Sequence, residues 1–199
     1  MVKAVVFDMD GMLIFEDERF SKKFSREHRV KPKDVSEFFE KEFDHCLEGR
    51  KDLKSEVEPY LKKWGVSMSS DELLDYWFSI SIIDSDIADV IRSVKRKNRL
   101  KIVLCTNNEK HRVSYLEKKF DFKSMFDFVL RADHVGAQKP ERRVYERLLK
   151  EIALPAGEIA FFDDSKDHVK AAKEVGMKAF LFKDKAQLVA ELRSLGIDV

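Results

Sequence analysis

The sequence has few cysteines, no excess of either charge and no long apolar run, and each absence removes a class of protein. Cys46 and Cys105 are its two cysteines, far apart and without metal-type spacing, which fits the reducing cytoplasm. Lysine and arginine total 38 and aspartate and glutamate 37, a balance that argues against nucleic-acid binding. No apolar run approaches the roughly 20 residues that span a bilayer, and no signal-peptide pattern is present. We therefore expect a soluble, cytoplasmic protein that binds neither membranes nor nucleic acids.

Hydrophobic residues make up 44% of the 199 residues, enough for one sizeable domain with a modest insertion. Residues 15–83 are rich in phenylalanine, glutamate and lysine, and their apolar residues recur with helical spacing. Phe38 and Phe43 fit one face of a helix that starts near Asp34, and Ser69 begins a capping pattern for another helix. We predict a small all-helical insertion whose aromatic residues form its core.

From residue 84 the pattern changes to short apolar runs that alternate with amphipathic stretches. With the N-terminal run, the predicted strands cover residues 4–7, 101–105, 126–130, 159–162 and 178–182. Because strands that alternate with helices build parallel sheets, we predict an α/β fold with a doubly wound, Rossmann-like parallel sheet. Its core would comprise residues 1–14 and 84–199, and residues 15–83 would form a helical cap.

Polar side chains follow three of the predicted strands at the point where each strand ends. They are Asp8 and Asp10 after the first, Thr106, Asn107 and Asn108 after the second, and Asp163 and Asp164 after the fourth, while Lys139 precedes a helix. In doubly wound sheets ligands bind beyond the carboxyl ends of the strands, so we expect these groups to meet at one edge. Taken singly they have structural explanations, since Thr106 and Asn108 can cap a helix and Lys139 can be a surface lysine.

This set of groups suits phosphoryl transfer assisted by a divalent metal. Carboxylates gathered at strand ends repel each other without a counter-ion, and a site with only oxygen ligands suits Mg²⁺. One carboxylate can attack phosphorus and form an aspartyl-phosphate, while a second protonates the leaving alcohol and later activates water. A hydroxyl, a helix N-terminus and a lysine can hold the remaining phosphoryl oxygens.

The motifs Asp8-x-Asp10-Gly11, Thr106-Asn107, Lys139-Pro140 and Asp163-Asp164, in this order, resemble those of the haloacid dehalogenase-like (HAD) hydrolase superfamily. The resemblance covers the whole chain, and the insertion at 15–83 matches the position of the family's helical cap. The sequence around Asp163 and Lys139 is similar to the subgroup of sugar-phosphate phosphatases and the phosphatase domain of soluble epoxide hydrolases. After Asp-x-Asp-Gly the family usually has threonine or valine, whereas this sequence has Met12. Methionine places a larger, flexible side chain by the turn, which bears on rate and substrate fit.

The resemblance implies a role for each motif residue. Asp8 would be the nucleophile, and Asp10 would be the general acid and base. Thr106 and Lys139 would bind the phosphoryl group, and Asn107 would contribute its backbone N–H. The implied cofactor is Mg²⁺, and its ligands would be Asp8, Asp163, Asp164 and the backbone carbonyl of Asp10.

These roles predict a Mg²⁺-dependent phosphatase of a small phosphorylated metabolite, and the subgroup favours a sugar phosphate. A cap that closes over the sheet edge would admit a small phosphate ester and resist a phosphoprotein or a polynucleotide. Arg50 lies in a predicted cap loop and is a candidate substrate contact, although a solvated basic loop explains it equally well. We expect the protein to act as a monomer or a weak homodimer.

Three other interpretations stay open. A haloacid dehalogenase of this fold uses the first aspartate on a carbon–halogen bond without metal and normally lacks the second acid, so Asp10 favours a phosphatase. A receiver domain of phospho-signalling also combines acids, threonine, lysine and Mg²⁺, but its acidic pair precedes its acceptor aspartate and it has no helical insertion. A phosphomutase or a catalytically weak binding protein on this scaffold requires a turnover assay to distinguish.

Overall fold

The seven β-strands form two sheets in the computed structural model, which describes all 199 residues. The strands are β1 (Ala4–Phe7), β2 (Ile14–Glu16), β3 (Ser81–Ile83), β4 (Lys101–Thr106), β5 (Phe128–Arg131), β6 (Ile159–Asp163) and β7 (Lys178–Leu181). Strand β1 is central in a five-stranded sheet of order β5-β4-β1-β6-β7, which is parallel throughout. All four residues of β1 are fully buried, because a central parallel strand is covered on both faces.

Helices cover both faces of this sheet. The helices outside the cap are α6 (Ser85–Lys97), α7 (Lys110–Phe120), α8 (Ala132–Val135), α9 (Arg142–Ile152), α10 (Lys166–Glu174) and α11 (Lys185–Ser194). Side chains alternate along β1, so Val5 and Phe7 join one apolar core with α6 and α11, while Ala4 and Val6 join a second core with α9 and α10. This arrangement confirms the predicted doubly wound α/β fold. None of the helices is both long and apolar enough to cross a membrane.

The helical insertion lies between β2 and β3, which pair antiparallel in a separate two-stranded ribbon. Its elements are α1 (Phe20–His28), α2 (Pro32–Phe38), a π-helix (Phe39–Phe43), α3 (Asp44–Leu47), α4 (Leu53–Trp64) and α5 (Ser70–Ser79). A cluster of 14 buried apolar residues, including Phe24 and Trp64, gives the insertion its own core. The helices lie inside the predicted segment 15–83, and its division from the rest as a separate domain stays a prediction.

Several predicted boundaries move by a few residues in the structure. The helix expected near Asp34 begins at Pro32, which suits the first helical turn, and it changes to a π-helix at Phe39. Strand β5 covers Phe128–Arg131 rather than the predicted residues 126–130. Helix α7 is capped by the carboxylate of Glu109, so the capping explanation for Thr106 and Asn108 is wrong. The predicted cap at Ser69 is present as a reciprocal capping box with Glu72.

The capping box gives a direct test of the cap's stability. Ser69 Oγ accepts a hydrogen bond from the Glu72 backbone N–H at 3.2 Å, and Glu72 accepts one from the Ser69 N–H at 2.7 Å. Replacing Ser69 with alanine should lower the free energy of unfolding by about 0.5–2 kcal/mol, measured by urea titration. Ser67→Ala is the matched control, because Ser67 is exposed and its side chain makes no hydrogen bond. Equal stability of the two variants would contradict this assignment.

Candidate active site

Three neighbouring strands end at one edge of the sheet and present the predicted polar groups there. Asp8 follows the last residue of β1, Thr106 ends β4 and Asp163 ends β6. Strand β1 lies between β4 and β6. The sheet extends from β1 in one direction through β4 and β5, and in the opposite direction through β6 and β7. Such a switch in strand order opens a crevice at the carboxyl ends of the strands, where ligands bind.

A buried lysine joins the ends of these strands. The Nζ of Lys139 donates to Asp8 Oδ1 at 2.6 Å, to Asp163 Oδ2 at 2.7 Å and to the carbonyl oxygen of Cys105 at 2.9 Å. Its side chain is 1% exposed, so the surface-lysine explanation is wrong. All three ammonium protons have acceptors, which is the condition under which a lysine can be buried while charged.

Burial and charge oppose each other in this cluster. Burial raises the pKa of Asp8 to about 7, although the Lys139 ammonium beside it acts in the opposite direction. Burial would lower the pKa of Lys139, but Asp8 and Asp163 together raise it above its ordinary value. Burial would likewise raise the pKa of Asp163, but His168 and Lys139 hold it below its ordinary value. The ammonium and the Asp163 carboxylate are therefore both charged in the folded protein.

His168 and the start of α10 orient Asp163. The Nδ1 of His168 lies 2.9 Å from Asp163 Oδ1, and the same oxygen accepts a hydrogen bond from the Ser165 backbone N–H at 2.9 Å. The other carboxylate oxygen is bound to Lys139. Asp163 is fully buried and held from both sides, so its position at the edge of the sheet is fixed.

Three carboxylates at this edge fit a divalent cation. One oxygen each of Asp8, Asp163 and Asp164 lies within 4.8 Å of the others, and Mg²⁺ prefers carboxylate oxygens. When all three carboxylates are ionised, their charge exceeds that of the Lys139 ammonium by two, which one divalent cation balances. Gly11 has φ of 79°, and a Cβ there would lie 2.0 Å from Asp164 Oδ2, so glycine leaves the space that this carboxylate fills. The side chain of Asp10 is not in this group, and its predicted contribution is a backbone carbonyl.

Asp10 is instead held by donors from the chain that follows β4. Arg112 binds its carboxylate through two nitrogens, at 2.7 Å to Oδ1 and 2.9 Å to Oδ2. Asn108 Nδ2 lies 2.5 Å from Asp10 Oδ2 and 2.6 Å from Thr106 Oγ1. The predicted acid/base and the predicted phosphate-binding hydroxyl therefore share one hydrogen-bond network.

Asn107 fastens the two loops that carry Thr106 and Lys139. Its side chain accepts from the Lys139 backbone N–H at 2.7 Å and donates to the Lys139 carbonyl at 2.9 Å. The predicted role of Asn107 uses its backbone N–H, which these side-chain bonds leave free. The paired bonds hold the two loops at the mouth of the site.

A cavity of about 510 Å³ separates this edge from the cap. Aromatic residues of the cap, polar residues of the cap and its entry, and residues of the carboxyl edge line it: Phe20, Phe39, Phe43 and Trp77; Glu16, Arg19, Ser21, Ser36 and Glu40; Asp10, Asn107, Asn108 and Arg112. Phe20 and Trp77 belong to the apolar core of the cap and Phe39 and Phe43 pack against it, as predicted, and all four rings also line the cavity. The π-helix supplies two rings, Phe39 and Phe43, and such helices are frequent at functional sites.

The structure places Arg50 outside this cavity. Its guanidinium binds Glu48 and lies 3.0 Å from His45 Nδ1, and its side chain is 52% exposed. The loop that carries it does meet the edge of the sheet, because Gln138 Nε2 donates to Glu48 at 3.2 Å. The loop thus packs beside Lys139 while Arg50 faces a different cleft, with Gly49 and Lys110 among its lining residues.

Sequence reasoning placed Asn108 at this edge without a role and missed Arg112 and His168 as members of the site. A usable signal existed for Arg112, since it lies four residues after Asn108 and one helical turn places the two side chains on the same face. His168 lies five residues after Asp163, in the first turn of α10, where it can reach back to the strand end. From the sequence alone, neither spacing distinguishes these residues from ordinary surface positions.

Comparisons with known proteins agree with this geometry. A family model described as haloacid dehalogenase-like hydrolase matches residues 2–176. The chain is 23% identical to a phosphorylated carbohydrates phosphatase of Thermotoga maritima, over 89% of this chain and 83% of that protein. It is 27% identical to bifunctional epoxide hydrolase 2 of Mus musculus, over 98% of this chain but only 39% of the mouse protein.

A crystal structure shares the fold over nearly the whole chain. It is a HAD family enzyme from Bacteroides thetaiotaomicron in complex with magnesium and inorganic phosphate, with a TM-score of 0.81 and 19% identity. The superposition covers 94% of this chain and 99% of that one. The family model spans the strand ends that carry Asp8, Thr106 and Asp163, together with Lys139. The chain therefore belongs to the haloacid dehalogenase-like hydrolase family.

Proposed function

We propose that this hydrolase is a Mg²⁺-dependent phosphatase of a small phosphorylated metabolite that acts through an aspartyl-phosphate on Asp8. One observation carries the proposal: the buried carboxylate of Asp8 lies 2.6 Å from the buried Lys139 ammonium, beside two further carboxylates. Asp10, two residues after Asp8, lines a cavity large enough for a small ester. These are the parts that phosphoryl transfer requires, namely a nucleophile, charge stabilisation and a proton donor.

The chain's own residues account for the two half-reactions. In the first, Asp8 attacks phosphorus, the bond from phosphorus to the leaving oxygen breaks, and Asp10 donates a proton to that oxygen. In the second, Asp10 takes a proton from water, the water oxygen attacks phosphorus, and the bond to Asp8 breaks. Thr106 binds a phosphoryl oxygen, and the positive charge of Lys139 beside Asp8 stabilises the charge that develops on the phosphoryl oxygens.

The metal site belongs to the same proposal. Asp8, Asp163, Asp164 and the backbone carbonyl of Asp10 would hold Mg²⁺. When bound, the cation would neutralise charge on the nucleophile and the phosphate, whose mutual repulsion otherwise opposes their approach. The three carboxylates fit this purpose, because the chain supplies only one ammonium among them.

The other interpretations have less support. A dehalogenase shares the fold but does not need a second acid, whereas Asp10 is fixed by three hydrogen bonds at the cavity. Membership in a hydrolase family argues against a receiver domain, which is a signalling module. A phosphomutase retains the same nucleophile, and a turnover assay that measures released phosphate separates it from a phosphatase.

The cavity lining supports a sugar phosphate as the substrate class. Sugars bind proteins through aromatic rings that pack on their apolar faces and polar side chains that bond to their hydroxyl groups. The cavity offers both, and the side chains of Ser21, Ser36 and Glu40 make no hydrogen bond within the chain. The Thermotoga maritima relative, named for phosphorylated carbohydrates, agrees with this choice.

Replacing Asp8 with asparagine should abolish phosphate release while the protein stays folded. Asparagine keeps the size of the side chain but cannot form the acyl phosphate. We expect at least a 1,000-fold fall in kcat, on the order of catalytic-group deletions. Asp167→Asn is the matched control, because Asp167 is exposed in α10 and makes no ion pair. Substantial turnover by a folded Asp8→Asn protein would disprove the nucleophile assignment.

Magnesium should raise the thermal stability of the wild-type protein, because a ligand that binds the folded state stabilises it by mass action. Asp164→Asn should lose most of this rise in Tm, measured by scanning calorimetry with and without chelator. Asp167→Asn should keep it. A wild-type protein whose Tm and phosphatase activity are unchanged by exhaustive chelation would contradict the metal site.

Substrate preference should depend on Glu40. For sugar phosphates, Glu40→Gln should raise KM about 10-fold, the order expected for a lost charged hydrogen bond, and leave KM for 4-nitrophenyl phosphate unchanged. Glu58→Gln is the control, since Glu58 is an exposed glutamate of α4 that does not line the cavity. Kinetics would cover sugar phosphates, phosphoglycolate, nucleotides and a phosphopeptide. A preference for the phosphopeptide would refute the small-metabolite proposal.

A further inference from the structure

Arg112 lies at the boundary between the catalytic edge and the cap and has no role in the chemistry described so far. Its side chain is only 12% exposed, although it lines the cavity that faces Asp10. Its two terminal nitrogens bind the two oxygens of Asp10, and one of them also donates to Asn108 Oδ1 at 2.7 Å. The Nε is buried without a hydrogen-bond partner. A buried guanidinium whose two terminal nitrogens both bind one carboxylate holds that carboxylate in a single orientation.

The carboxylate needs such an anchor. Asp10 lies in the turn after β1, where the positive φ of Gly11 and backbone hydrogen bonds among residues 9, 11, 13 and 14 fix the main chain but not the Asp10 side chain. Its side chain is 44% exposed, so neighbouring apolar groups do not hold it in place. General acid–base catalysis depends on the position of the proton donor, and small displacements of a reacting group are costly.

We propose that Arg112 is the positioning residue of Asp10. The two terminal nitrogens of Arg112 set the orientation from which Asp10 exchanges protons with the leaving oxygen and with water. This inference rests on the proposed acid/base role of Asp10. Arg112 acts through Asp10 and does not itself touch the phosphoryl group. Asn108 completes the arrangement, because it connects the same carboxylate to the Thr106 hydroxyl.

The Arg112 guanidinium also connects Asp10 to the strand at the entrance of the cap. Arg112 lies 3.6 Å from Glu16 Oε1, and Glu16 ends β2, the strand that leads into α1. Burial raises the pKa of Glu16, while Arg112 acts to lower it. Arg112 therefore lies between the catalytic carboxylate and the strand that leads into the cap.

A double-mutant cycle tests the proposal. Arg112→Ala should lower kcat for an alkyl or sugar phosphate about 10- to 100-fold and change KM less than about 3-fold, within the range of general acid–base effects. In an Asp10→Asn background, the same substitution should cost almost nothing, because the group it positions is already disabled. Millimolar guanidinium should partly restore the single variant. Arg112→Lys should recover less than guanidinium does, since an ammonium cannot form the fork.

The controls separate positioning from other roles. Arg142→Ala removes an exposed arginine from α9 and should leave kcat unchanged. Circular dichroism and Tm establish folding, and Arg112→Gln takes the place of Arg112→Ala if the latter does not fold. A rise in KM at constant kcat would indicate substrate binding and overturn the proposal. Equal losses in both backgrounds, without rescue by guanidinium, would indicate a structural role and also overturn it.

Failure of the proposed function and failure of the Arg112 proposal give different results. A wild-type protein without phosphatase turnover, under conditions where it binds Mg²⁺, would refute the proposed function and with it the role of Asp10. Wild-type turnover with an Arg112→Ala protein of equal kcat would refute the role of Arg112 alone. A smaller loss of kcat in Arg112→Ala for 4-nitrophenyl phosphate than for a sugar phosphate would further support positioning, because a good leaving group needs less proton donation.

Discussion

The ammonium of Lys139, buried between Asp8 and Asp163, is the interaction on which the rest of the site depends. Removing one partner of a buried ion pair leaves an uncompensated charge and typically costs about 3–5 kcal/mol. Here a lost ammonium would leave two buried carboxylates facing each other at adjacent strand ends. Lys139 therefore allows the sheet to present the Asp8 and Asp163 carboxylates together at one edge. The Cys105 carbonyl, from strand β4, completes its coordination and joins the third strand to the cluster.

The cap and the carboxyl edge contribute different properties to one cavity. The edge supplies fixed charges, held by hydrogen bonds between loops that are distant in sequence, such as Asn107 with Lys139. The cap supplies aromatic rings and unpaired polar groups, and three of these residues, Phe39, Glu40 and Phe43, lie in the π-helix. In the proposed function, the sheet edge carries out the chemistry and the insertion selects the substrate.

The sheet was predictable because its strands are short apolar runs that end in acids, hydroxyls or turns, and parallel pairing brings those ends together. The capping box at Ser69 was predictable because its hydrogen bonds are local. Burial of Lys139 was not, since it follows from contacts with strands more than twenty residues away in sequence. The same holds for Arg112, whose partner Asp10 is 102 residues away. Arg50 was the reverse case, because loop position alone suggested a contact that its bonds to Glu48 and His45 direct elsewhere.

Chemical trapping of Asp8 during turnover tests the central claim most directly. Borohydride reduces an acyl phosphate to the alcohol, so a trapped aspartyl-phosphate at position 8 becomes homoserine, which peptide mass spectrometry detects. The account predicts homoserine at position 8, and at no other aspartate, when the enzyme is quenched with Mg²⁺ and a phosphate ester present. Absence of homoserine during rapid turnover, or its appearance at Asp10, Asp163 or Asp164 instead, would contradict Asp8 as the nucleophile.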